Sequence, residues 1–213
     1  AVLVAEGTII SGEYAPGMVA DEDMIRRIRQ ARADENIRAL VLRVNSPGGG
    51  MLASEAIRSE LALLQAAGKP VVVSMGGTAA SGGYWISATA DRIWASPATV
   101  TGSIGVISMV PTFEDSLSEL GIGVDGVGTT PLTRGADPLG GLSEPMQDLL
   151  QQNTNNAYER FISLVAEGRG LTRAEVQSLA GGQVMTGAEA QEAGLVDEMG
   201  HLEDAVVSAA RLA

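Results

Sequence analysis

Ala39-Leu40-Val41-Leu42-Arg43-Val44 runs directly into Asn45-Ser46-Pro47-Gly48-Gly49-Gly50, and this junction decides the fold. The first segment is short, mostly apolar and rich in β-branched residues, as a strand buried on both faces of a sheet requires. The second is a glycine-rich turn. From Ser54 to Ala67, Ala56, Ile57, Leu61 and Leu64 then recur at helical spacing, and Gly68 and Pro70 end the helix. The pattern repeats downstream. Val71 to Met75 reads as a second buried strand, and Ala79-Ala80-Ser81-Gly82-Gly83-Tyr84-Trp85 as a second glycine-rich turn leading into helical sequence.

Working outward, a helix is predicted from Asp21, read as its N-cap, to about Ala33. Further strands are predicted at Arg92–Ala95 and Gly123–Gly128, the latter after a short helix near Phe113–Leu120. The stretch from Gly126 to Gly141 is rich in glycine and proline and has no periodicity, so it reads as a long loop. A long helix is predicted from Ser143 to about Glu167, then short helices at Thr172–Leu179 and Thr186–Ala193. Thr172-Arg173-Ala174-Glu175 and Thr186-Gly187-Ala188-Glu189 both fit the capping box. A last helix runs from Leu202 toward Ala213. Alternating strands and helices imply crossovers and a mostly parallel α/β sheet. The expected organisation is one domain over 1–213: a core over 1–128, the loop over 129–142 and a helical part over 143–213.

Composition narrows the chemistry. Among 213 residues, 14 basic side chains face 26 acidic ones, a formal charge of −12, which disfavours nucleic acid and anionic membrane surfaces as partners. The absence of cysteine excludes disulfides and thiol nucleophiles, and a single histidine argues against a zinc site. No run reaches the roughly 18–20 apolar residues of a membrane span. No basic segment opens the chain as a signal peptide would. Its abrupt start inside a strand suggests a portion of something longer.

Both glycine turns fall at the carboxyl ends of parallel strands, where open α/β sheets place their sites. Neither matches a dinucleotide fingerprint or a phosphate loop with its lysine. A hydrolase nucleophile elbow fits poorly, because Ala79 stands where its first glycine belongs. A serine at a helix start remains, with Ser81 Oγ as nucleophile. The Gly82 N–H and an N–H from Gly48 or Gly49 then hold the oxyanion. Such a serine needs a base. His201 reads as a surface or capping residue before the last helix. Lys69, the one lysine, lies at the amino end of a strand, the wrong end of the sheet.

These motifs, with Thr101-Gly102-Ser103-Ile104-Gly105-Val106, Tyr158-Glu159-Arg160-Phe161, Thr186-Gly187 and Gly194-Leu195-Val196-Asp197, resemble the signal peptide peptidase A family. This is a family of bacterial membrane-bound serine–lysine proteases. The resemblance implies a Clp protease/crotonase-like fold of repeated ββα units with a helical carboxy-terminal extension. It implies Ser81 as nucleophile, Gly82 with Gly48 or Gly49 as oxyanion hole, and Ser103 as the residue orienting the catalytic lysine. No cofactor or metal is implied.

In short members the lysine lies in a loop that here reads Gly128-Thr129-Thr130-Pro131-Leu132-Thr133-Arg134-Gly135, without lysine. Arg134 cannot replace it, because a guanidinium stays protonated. The chain therefore resembles the carboxy-terminal half of the long, two-repeat members, with the lysine supplied by an amino-terminal repeat or a neighbouring subunit. Signal-peptide remnants or other unfolded peptides are the implied substrates. A homo-oligomeric ring is the implied assembly, and the periplasmic face of a bacterial inner membrane the implied location. The alternatives are a non-catalytic peptide-binding or assembly domain of the same fold, and a crotonase-like acyl-CoA enzyme.

Overall fold

The computed structural model describes residues 1–13, 15–130 and 132–213. Pro131, part of the predicted loop, lies outside the described residues. In chain order the elements are β1 (Val2–Glu6), β2 (Thr8–Ile10), β3 (Met18–Ala20), α1 (Asp21–Ala33), β4 (Leu40–Ser46), α2 (Met51–Ala66), β5 (Val71–Ala80), α3 (Gly82–Trp85), β6 (Arg92–Ala95) and β7 (Val100–Gly102). There follow α4 (Glu114–Glu119), β8 (Ala136–Asp137), β9 (Gly141–Leu142), α5 (Glu144–Arg169), α6 (Arg173–Leu179), β10 (Val184–Thr186), α7 (Gly187–Glu192), β11 (Glu198–Met199) and α8 (Leu202–Leu212).

The chain divides into two units, Ala1–Gly105 with Arg160–Ala213, and Val106–Glu159. The first holds the main sheet, in the order β1-β4-β5-β6-β11, with β7 on the far half of β5 and β10 antiparallel to β7. The other pairings in this sheet are parallel, as the alternation of strands and helices requires. Met24, Ile28 and Ala31 of α1 and Ala53, Ile57, Leu61 and Leu64 of α2 are buried. Ala205 and Ala209 of α8 pack on Val41 and Val72 of the sheet. Between α1 and α2, the nearly buried Glu60 pairs with Arg29 and Arg32, so its charge is compensated.

Several sequence expectations shift. β5 is ten residues long and continues through Gly76-Gly77 to Ala80, whereas the glycines read as a break after Met75. Pairing with β4 is interrupted there: Val44 faces Met75, but Ser46 faces Ala79. The side-chain carbonyl of Asn45 fills the irregularity by accepting the Thr78 N–H at 3.2 Å. Past this bulge β5 changes neighbour. Val72–Ser74 pair with β6, whereas Thr78–Ala80 pair with β7. Bulges re-aim strand ends in this way, and here the end is the second glycine turn.

Asp21 is the first helical residue of α1, not its N-cap. Its Oδ1 accepts the Gly12 N–H at 2.8 Å, and Ala20 occupies the cap position. The helix expected from Ser54 starts earlier, at Met51. No strand forms over 123–128, where isolated apolar residues between glycines stand in solvent, Val127 at 99% exposure. Glycine in such a stretch offers neither packing nor pairing preference. Within the predicted loop, Ala136 and Asp137 pair with Leu142 and Gly141 as a short antiparallel ribbon. Both predicted capping boxes form, with the Glu175 and Glu189 amides donating to the Thr172 and Thr186 hydroxyls.

Candidate active site

Ser81 follows the last residue of β5 and precedes α3, with φ 51° and ψ −118°. Ser81 and Ser103 are the two non-glycine residues with positive φ among the described residues. Backbone in such sparsely populated regions costs on the order of 1–3 kcal/mol and must be held from outside. Ser81 is held on both sides. Its N–H donates to the Gly102 carbonyl at 3.0 Å, and its carbonyl accepts the Trp85 N–H at 2.8 Å.

The first glycine turn closes on the second. A methyl on Gly48, at φ 111°, would lie 2.7 Å from the Gly82 nitrogen and 2.8 Å from Ser81 Cβ. Glycine is therefore required for the approach as well as the dihedral. A methyl on Gly82 would meet Ser54 Oγ at 2.6 Å and the Gly49 nitrogen at 3.1 Å. The turn is stitched to β2, with the Ile9 N–H donating to Gly48 O at 2.8 Å and the Gly50 N–H to Ile9 O at 2.9 Å.

The amides of this cluster differ in availability. The Gly48 N–H donates to Ser46 Oγ at 3.2 Å. Among the described residues the Gly49 and Gly82 amides donate to no protein acceptor. Ser103 stands one residue beyond Gly102, the carbonyl partner of Ser81. Its N–H donates to Gln183 O at 2.9 Å, and its hydroxyl reaches only a long 3.4 Å contact with Gly182 O.

Lys69 and His201 have partners of their own. Lys69 precedes β5, so the whole strand, roughly 30 Å at about 3.3 Å per residue, separates it from Ser81. Its Nζ donates to the Ala31, Arg32 and Asp34 carbonyls at 2.7–2.9 Å, closing the carboxyl end of α1. Lys69→Met is expected to lower stability by about 1 kcal/mol through these lost bonds. Denaturant melts of the variant beside the natural sequence check the difference. His201 precedes α8 and donates its backbone N–H to Asp204 at 2.8 Å. Arg134 pairs with Asp137 at 2.7 Å in the second unit. Burial pushes the Tyr84 phenol well above its usual pKa, and its hydroxyl donates to Leu195 O at 2.8 Å, so it is a structural tie.

One side chain beside the site carries no sequence signal. Glu55 on α2 accepts from Arg58, from Trp85 Nε1 at 2.8 Å and from Arg160 at 2.9 Å. Burial alone would raise its pKa, but these donors overcome that and hold it at about 2. It is a permanent carboxylate. Its partners lie 3, 30 and 105 positions away, beyond any local pattern.

The fold and the converging turns define a class: an α/β protein of the Clp protease-like type, with a strained serine beside unpartnered amides. A solved ClpP1 of Listeria monocytogenes superposes with a TM-score of 0.65 at 16% identity, over 96% of this chain and 94% of that one. The chain belongs to peptidase family S49, whose model matches residues 63–213. It is 51% identical to Protease 4 of Salmonella typhi and 48% identical to Protease 4 of Haemophilus influenzae, over its full length in both. It spans about a third, 34%, of either relative. A putative signal peptide peptidase SppA of Enterococcus faecium is 36% identical over 88% of this chain and 54% of that protein.

Proposed function

We propose that this chain is the nucleophile-bearing part of a serine endopeptidase whose general-base lysine comes from outside these 213 residues. One observation carries the reading: Ser81, in strained backbone, stands beside two amides, Gly49 and Gly82, that no acceptor among the described residues engages. Ser81 Oγ attacks the scissile carbonyl carbon while a neutral lysine amine takes its proton. The Gly82 and Gly49 N–H groups receive the developing oxyanion. Gly49 is preferred to Gly48 because the Gly48 amide is already bonded to Ser46. Collapse of the tetrahedral intermediate expels the peptide amine, which takes the proton back from the lysine. Water then hydrolyses the acyl-enzyme by the same path in reverse. Ser103, with its weakly engaged hydroxyl, orients the incoming lysine.

Extended, unfolded peptides such as signal-peptide remnants suit the site, lying along the glycine-rich segments through main-chain hydrogen bonds. A bacterial inner membrane, with the site facing the periplasm, and a homo-oligomeric ring complete the proposal. The name of the Enterococcus faecium relative, a putative signal peptide peptidase, supports the substrate reading. No helix among the described residues is long and apolar enough to cross a membrane, so attachment would reside elsewhere in the polypeptide. The lysine comes from an amino-terminal repeat or a neighbouring subunit.

The test compares the isolated 213-residue chain with the natural polypeptide that carries it, using a fluorogenic peptide. The isolated chain is expected to be inactive, and the natural polypeptide active. Full activity in the isolated chain would refute the external lysine. An inactive natural polypeptide that still binds peptide would favour a non-catalytic binding domain of the same fold.

A further inference from the structure

We propose that Glu55 is a positioning residue for this reaction: through the Trp85 indole it holds Ser81 and the Gly82 amide in register with the Gly49 amide. The inference rests on the assignment of Ser81 and the two amides above. The two amides belong to the starts of different helices. Gly49 directly precedes Gly50, the N-cap of α2, and Gly82 opens α3. Their separation is therefore set by how the two helix starts are fixed to each other.

α3 has four residues, too few to hold its own conformation. Its last residue, Trp85, is 2% exposed and supplies the N–H that fixes the Ser81 carbonyl. The Trp85 ring packs on Phe161, with centroids 4.6 Å apart, and its Nε1 donates to Glu55 Oε2 at 2.8 Å. That carboxylate comes from the second turn of α2, next to Ser54, the residue in contact with Gly82. Arg58 holds both of its oxygens, at 2.8 and 3.0 Å, and Arg160 holds Oε1 at 2.9 Å. One carboxylate is thus locked by two guanidinium groups and aimed at one indole. With a pKa held at about 2, it remains the same acceptor throughout neutral and mildly acidic conditions. The pairs are partly exposed to solvent, Arg160 at 48% and Glu55 at 25%, and pairs of this kind add little net stability.

The experiment uses the natural polypeptide and steady-state peptide hydrolysis, corrected for folded fraction. Trp85→Phe and Glu55→Ala should each lower kcat by roughly 10- to 100-fold, less than the ~10²–10³ lost with an entire oxyanion donor. KM should stay within about twofold, since a positioning defect acts on the transition state. The double variant should fall no further than the lower single variant, because both remove one link. Glu55→Gln retains an acceptor oxygen and should keep kcat within about threefold. Trp85→Phe leaves the arginine network intact and carries the test if Glu55→Ala fails to fold. Unchanged kcat with only a lowered melting temperature would overturn the role, as would losses that multiply in the double variant. Ser81→Ala in parallel separates the two levels: retained hydrolysis removes the underlying reading, whereas an inactive Ser81→Ala beside fully active Glu55 and Trp85 variants removes only the role of Glu55.

Discussion

Ser81→Ala in the natural polypeptide should lower peptide hydrolysis by about 10⁴-fold or more and abolish labelling by a fluorophosphonate probe. Removing a serine nucleophile elsewhere costs rates of this order, leaving only what the oxyanion hole and binding supply. The protein should still fold. Alanine keeps the Cβ that packs beside Gly48 and both backbone hydrogen bonds, from the Ser81 N–H to Gly102 and from the Trp85 N–H to Ser81. Ser81→Gly sharpens the result. Glycine relaxes the strained φ of 51° and should make the protein more stable than the alanine variant by about 1 kcal/mol, with activity equally lost. Stability and activity thus move independently at one position. Retained labelling in Ser81→Ala would exclude it as the nucleophile.

Gly49→Ala should lower kcat by roughly 10²–10³-fold, the effect of misplacing one oxyanion donor. The added methyl would lie 2.0 Å from the Ile9 carbonyl oxygen and 2.7 Å from the Ile9 nitrogen, at φ 151°. Rigid backbone blocks it, so the turn must leave β2 and take its amide away from Gly82. Gly50→Ala, one residue later, is the matched control. There the nearest atoms are 3.8 and 3.9 Å away and φ is −61°, so a methyl fits and kcat should hold. Kinetics of both variants, corrected for folded fraction by circular dichroism, make the comparison. Equal kcat in the two would remove Gly49 from the oxyanion hole.

The legible part of this protein consisted of local signals. Apolar runs of strand length, Gly68 and Pro70 after α2, and the threonine–glutamate capping boxes at Thr172 and Thr186 each act within a few residues. They were readable from the residue order. Strand 123–128 failed because its apolar residues had no neighbour to pair with, and β5 was underestimated because its glycines accommodate a bulge that Asn45 fills from another strand. Even the one lysine could be placed at the wrong end of the sheet from order alone, although its three carbonyl partners on α1 could not.

By itself, then, the sequence determined the alternation of elements, the two glycine turns at the carboxyl ends of their strands and the place of the one lysine at the amino end of β5. Only the tertiary structure decided that the turns meet, that Ser46 occupies the Gly48 amide while the Gly49 amide has no acceptor among the described residues, and that Glu55 joins Trp85 and Arg160 across the chain. The physical reason is range. Helix caps, breakers and side-chain periodicity act over a turn or a strand, whereas the partner of an amide or a carboxylate depends on the register of segments tens of residues apart.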